Sequence, residues 1–143
     1  MLTLSRSRAW IWQLAKEMPF YRHLGINLTR LGRGRADIEL RVGEHLTQGA
    51  GVAHGGVAAS MIDSAVGLAL CTLLRSRELI TTVELKLNYI TPAKPGLLKA
   101  TGLILRKGKS IAVGEAEVRD VKRELVAKGL VTYMILAEHQ YHA

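Results

Sequence analysis

Cysteine is almost missing from this chain of 143 residues, which carries only Cys71. One thiol can form no internal disulfide and no cysteine-ligated metal cluster, so neither device holds the fold. Cys71 lies within an apolar run and reads as a small core residue, a usage suited to a reducing cytoplasm. Aromatic residues are also scarce, with one Phe and two Trp, which leaves few stacking platforms for nucleic acid. The opening stretch "MLTLSRSRAWIWQLAKEMPF" lacks the apolar segment and small-residue cleavage site of a secretory signal, so a cytoplasmic location is expected. Acidic side chains are the minority, 12 against 20 Lys and Arg, and the net charge of +8 favours an anionic partner. The cations are scattered instead of gathered on one element, which points away from nucleic acid. A phosphorylated small molecule fits the balance better. The densest basic run, "RKGK" at 106–109, falls where a hairpin tip is expected.

What the chain has in quantity is apolar side chains, 48% of its residues. That is enough for a packed core and argues against disorder. Residues 1–143 are expected to form one domain, with residues 1–19 as an N-terminal helix packed on its body. Trp10, Ile11, Leu14 and Met18 share a helical face, Ser7 is a candidate cap, and Pro19 lies where the helix should stop. Residues 35–42, "RADIELRV", alternate apolar and polar as a half-buried strand does, and residues 26–31 read as its hairpin partner across "GRG". A second alternation sets Val83, Leu85, Leu87 and Tyr89 against Thr82, Glu84, Lys86 and Asn88. The sequence "TPAKPG" at 91–96 ends it, and extended runs at 97–106, 109–120 and 124–136 follow with short antiparallel turns between them. The terminal "HQYH", with His139 and His142, reads as a solvated tail.

Between these strands, residues 55–74 form an almost unbroken apolar run, long enough to cross a membrane. Asp63 near its centre would cost such a span roughly 2.5–3.5 kcal/mol. The alternating strands on either side also need this segment to cover their apolar faces. The expectation is therefore a buried helix wrapped by a sheet of five to six strands, an α+β fold without a membrane span. His54-Gly55-Gly56 opens the helix. Two residues without side chains permit a close backbone approach, and the first turn leaves N–H groups and partial positive charge to meet an oxyanion. Tight packing of helix on sheet is the alternative use of the glycines. Asp63 suits a nucleophile or a general base; alternatively, hydroxyls or an arginine satisfy it. Gly55 and Asp63 are about 12 Å apart along a helix axis, so one reacting carbon cannot touch both. Joint action would require the Asp63 of a second, two-fold-related copy, and hence a homodimer.

With the pieces "FYRHLGI" at 20–26, "QGAGVAHGGVAASMIDSAVGLAL" at 48–70, "TTVELKLNYITPAKPG" at 81–96 and "GKSIAVGEAEVRD" at 108–120, the chain resembles the hotdog-fold acyl-CoA thioesterases, in their phenylacetate-degradation (PaaI-type) branch. The resemblance implies a long helix wrapped by an antiparallel sheet, dimers often paired into tetramers, and hydrolysis of small, medium-chain or aromatic acyl-CoA with no cofactor and no metal. It places the carbonyl-binding donor on Gly55 with His54 beside it, an amide on Gln48, the catalytic carboxylate on Asp63 and a water-positioning hydroxyl on Thr82. For the coenzyme, it suggests Gly56, the stretch Asn88–Pro92, and phosphate contacts from Arg106, Lys107 and Lys109. Hotdog dehydratases differ in a proline-rich approach to the helix, which is missing between Pro19 and Pro92. A non-catalytic acyl-CoA-binding module is the alternative reading.

Overall fold

The computed structural model describes residues 7–141. The first two helices are α1 (Arg8–Glu17) and α2 (Pro19–Leu24). The Ser7 side chain caps α1 by accepting the Trp10 N–H at 3.3 Å, and Ile11 and Ala15 are its buried residues. Pro19 ends α1 but also begins α2, because its fixed φ and missing N–H are harmless in a first turn. Gly25, at φ 78°, closes α2 in the left-handed conformation that costs glycine nothing.

Six strands follow: β1 (Asn27–Gly32), β2 (Arg35–Val42), β3 (Glu78–Tyr89), β4 (Gly96–Lys107), β5 (Ile111–Arg119) and β6 (Leu125–Ala137). They form one antiparallel sheet in the order β1-β2-β4-β5-β6-β3. Between β2 and β3 runs the apolar helix α3 (Gly55–Cys71), which packs chiefly on β4, β2 and β5. This is the hotdog arrangement of sheet around helix. Met61, Ile62, Ala65, Val66, Ala69 and Leu70 of α3 have no exposed surface, and each large one contributes about 1.5–3 kcal/mol by leaving water. Helix and sheet approach so closely at β4 that a Cβ on Gly102 would strike the backbone of Ala65. No helix among the described residues is long and apolar enough to cross a membrane.

Three sequence expectations need correction. The helix ends at Cys71 and not at Leu74. The Thr72 hydroxyl turns back to the Ala69 carbonyl and accepts the Gly34 N–H, both at 2.7 Å, which breaks the apolar run away from the helical path. Of the expected C-terminal tail, Glu138–Tyr141 forms a last helical turn, α4, while His142 lies outside the described residues. The alternation in β3 is interrupted by a bulge between Thr82 and Glu84. Thr82 opposes the buried Tyr133, and Leu85 opposes the buried Val131, so both lie on the inner face although three positions separate them. Val83, expected inside with Leu85, is the extra residue and is 54% exposed. One inserted residue reverses the faces on one side of a bulge.

The two sheet edges differ. Each edge strand has a strand partner on one side only, but β1 lies under α1, whereas β3 carries exposed Val83 and Tyr89.

Candidate active site

The N-terminus of α3 is held by its neighbours on three sides. Ala53 N–H donates to the Ala93 carbonyl at 2.7 Å, and His54 N–H to that of Leu46 at 2.8 Å. His54 is the N-cap: its Nδ1 accepts the Gly56 N–H at 2.9 Å, and its carbonyl accepts the Val57 N–H at 2.9 Å. An accepting Nδ1 leaves Nε2 as the ring nitrogen that carries the proton. The Gly55 N–H, first in the helix, has no acceptor among the described residues. Gln48 stands nearby with Oε1 bound to the Ala50 N–H at 2.8 Å, so the donor end of its amide is the one left to meet a ligand. These residues line a cavity of about 630 Å³ with Gly56, Tyr89 and Pro92. Tyr89 lies over Gly55, donating to its carbonyl at 2.9 Å. A Cβ at Gly55 would sit 2.9 Å from that phenol oxygen, so glycine is what lets the ring approach.

Two turns further along α3, Asp63 opens onto a second cavity of about 420 Å³. Its apolar walls come from Trp10 and Leu14 of α1, Met18 just after it, Phe20 of α2 and Ile80 of β3, and the hydroxyls of Tyr21, Ser64, Thr82 and Tyr133 line it as well. Thr82 donates to Asp63 Oδ1 at 3.0 Å, and Tyr133 of β6 donates to the same oxygen at 2.6 Å. Burial, then the neighbouring carboxylate, pushes the Tyr133 phenol far above its ordinary range. It is therefore a donor at every working pH. Tyr21, also in this cavity, is pushed up to about 12, mainly by burial.

Sequence-derived residues thus separate into two groups. Gln48, His54, Gly55 and Gly56 meet in the first cavity, and Asp63 and Thr82 meet in the second. One protomer does not bring the groups together. Of the stretch expected to hold the pantetheine arm, Tyr89, Ile90, Thr91 and Pro92 line the first cavity. Asn88 faces the outer side of the sheet opposite Lys128 and accepts from Lys86 Nζ at 2.5 Å. Lys107 pairs with Glu78 at 3.4 Å, Arg106 and Lys109 are exposed, and none of the three lines either cavity. Tyr133 and Tyr21 were missed by sequence reasoning, and Tyr89 was included only as part of the stretch Asn88–Pro92. For Tyr133 a signal existed: a tyrosine at a core position of an alternating strand needs a partner for its hydroxyl.

Comparison with known proteins matches this chain to the family described as the thioesterase superfamily over residues 50–127. The protein SSO2140 of Saccharolobus solfataricus, an esterase by name, is 35% identical, over 81% of this chain and 82% of its own. The medium/long-chain acyl-CoA thioesterase YigI of Escherichia coli is 29% identical, over 82% of this chain and 86% of its own. The 1,4-dihydroxy-2-naphthoyl-CoA hydrolase of Listeria monocytogenes is 27% identical, over 72% and 84%. Among solved structures, conserved protein PA5202 of Pseudomonas aeruginosa superposes with a TM-score of 0.76 at 34% identity, covering 82% of this chain and 94% of that one. By that family match, and by relatives that cleave acyl-CoA thioesters, the chain belongs to the thioesterase superfamily and is a thioester hydrolase.

Proposed function

We propose that this protein hydrolyses acyl-CoA thioesters with apolar acyl groups, medium-chain or aromatic, at sites composed by two copies of the chain. The observation that carries this is the division of the site. The oxyanion-binding end of α3 and its carboxylate open on different cavities, about 12 Å apart along the axis. Two antiparallel copies of α3 would bring the partner's Asp63 to each Gly55. The exposed edge β3, with apolar Val83 on it, is the surface on which a second sheet would continue the first. A homodimer therefore completes the site, and pairs of dimers would make a tetramer.

In that assembly the thioester oxygen accepts from the Gly55 N–H and the Gln48 amide, both set before the substrate arrives. The partner's Asp63 either attacks the carbonyl carbon or takes a proton from water held near Thr82. Thiolate is a good leaving group, so no strong acid is needed beside the sulfur. The acyl group enters the cavity beside Asp63, whose apolar walls stabilise a hydrocarbon chain or ring by removing it from water. The acyl groups named for YigI and for the naphthoyl-CoA hydrolase are of this character. A panel of acetyl-, octanoyl-, palmitoyl- and phenylacetyl-CoA tests the reading. Octanoyl- or phenylacetyl-CoA should be cleaved fastest, with Asp63→Asn inactive on all of them. Turnover retained in Asp63→Asn, or a preference for acetyl-CoA, would refute it.

A further inference from the structure

The catalytic carboxylate has two oxygens, and the structure treats them differently. Oδ1 accepts from Thr82 and from Tyr133, at 3.0 and 2.6 Å, while Oδ2 has no partner among the described residues. We infer that Tyr133 is a positioning residue for the hydrolysis: with Thr82 it pins Oδ1 of Asp63 and leaves Oδ2 as the oxygen that meets water or the thioester carbon. This inference rests on the role of Asp63 proposed above.

Three features make the arrangement a built one. Thr82 and Tyr133 are cross-strand partners, so one rung of the sheet supplies both donors, and the bulge at Val83 is what turns Thr82 toward the helix. Tyr133 is buried, and its single hydroxyl proton is shared between Oδ1 and the Asp63 backbone carbonyl, at 2.6 and 2.5 Å, which ties the phenol to the main chain as well as to the carboxylate. Gly67, one turn after Asp63, makes room for it. A Cβ there would lie 3.1 Å from the Tyr133 oxygen. A helix-weakening residue stands in mid-helix because the hydroxyl needs the space. Hydrogen bonds to an ionised carboxylate are short and strong, and they favour its charged form. Both donors therefore hold the Asp63 carboxylate rotationally fixed, while Oδ2 keeps its lone pairs for the reaction.

The ionisable groups facing Asp63 are few. The α1 residues lining the cavity carry no charge, α2 contributes Tyr21, α3 contributes Cys71, β3 contributes the neutral Thr82 hydroxyl, and β6 contributes Tyr133. The two phenols stay protonated across the acid and neutral range.

The test follows the Asp63 carboxyl by NMR in the whole protein labelled with carboxyl-carbon-13 aspartate, its signal assigned by loss in Asp63→Asn. In Tyr133→Phe the titration midpoint should rise by about one pH unit, the worth of one charge-assisted donor. With octanoyl-CoA, kcat should fall roughly tenfold at nearly unchanged KM, and the acid limb of kcat/KM should move to higher pH by the same amount. Gly67→Ala, a better helix former that crowds the phenol oxygen without deleting it, should shift the midpoint in the same direction by less. An unmoved midpoint in Tyr133→Phe overturns the inference, even if activity is lost, since a merely structural tyrosine would give that result. The titration needs no turnover. A wild-type protein inert toward octanoyl-CoA would count against the proposed substrate, and the midpoint would still decide this inference.

Discussion

The division of the site can be tested by removing a single backbone N–H donor. Gly55 is the first residue of α3, and the His54 before it has φ −62° and ψ 139°, the extended backbone that a residue preceding proline prefers. Gly55→Pro therefore fits the helix start while deleting the N–H. Deleting that N–H breaks no hydrogen bond, because it has no acceptor among the described residues. The new Cβ would meet the Tyr89 phenol oxygen, at 2.9 Å, and this side chain, 57% exposed, would swing away and give up its hydrogen bond to the Gly55 carbonyl. Stability should stay near the wild-type value, because the gain of about 0.4–1 kcal/mol for proline at a compatible site offsets that exposed hydrogen bond. Catalysis should fall by about 10²–10³, the usual loss for one oxyanion donor. Asp63→Asn should be inactive for a different reason. When the two variants are co-expressed with different tags and the doubly tagged dimer is isolated, one of its two sites unites an intact Gly55 with an intact partner's Asp63. That dimer should hydrolyse octanoyl-CoA at about half the wild-type rate, from two nearly inactive parents. If it is no faster than its parents, the site is not shared between copies, or the Gly55 N–H is not the donor.

Other consequences concern the cavity and the core. Leu14→Trp adds bulk to the α1 wall of the cavity beside Asp63, so a panel of acyl-CoA lengths should shift toward shorter chains through a raised KM for octanoyl-CoA. An unchanged length profile would show that the acyl group lies elsewhere. Gly102→Ala would drive a Cβ into the backbone of Ala65, an overpacking worth about 1–3 kcal/mol, visible as a drop of several degrees in Tm. For alkaline stability, Tyr21 is raised from 10.0 to about 12 in the folded protein. Its contribution is full below the unfolded value and declines as pH rises between those two figures, because the unfolded chain releases its proton first. Tyr21 alone should lower stability by about 1.4 kcal/mol per pH unit in that window, and Tyr133, raised further, adds to the fall. Urea denaturation at stepped pH checks this, and Tyr21→Phe should make the slope shallower by that share.

Much of the architecture was legible because it depends on patterns local to the chain. The alternation in 35–42 marks β2, the Ser7 cap and Pro19 bound α1, and the apolar run marks α3, since burial on one face leaves its period in the residue types. Boundaries were less legible where a side chain chose between two backbone paths. Thr72 ends α3 ahead of two further leucines, and nothing in the hydrophobicity of the run announces that choice. In β3 the strict alternation misled, since Val83 carries the signature of an inward residue and stands outside.

The chain alone determined that a carboxylate stands in the middle of an apolar helix and that a glycine pair opens it. From the rise per residue it also determined that the two cannot serve one carbon within a protomer, because helix geometry is fixed by the backbone whatever surrounds it. Only the tertiary structure decided what meets that carboxylate. Tyr133 lies seventy residues beyond Asp63, and Thr82 reaches it only through a bulge. Strand pairing across such a separation is set by the packing of the whole sheet on the helix, which no local pattern records.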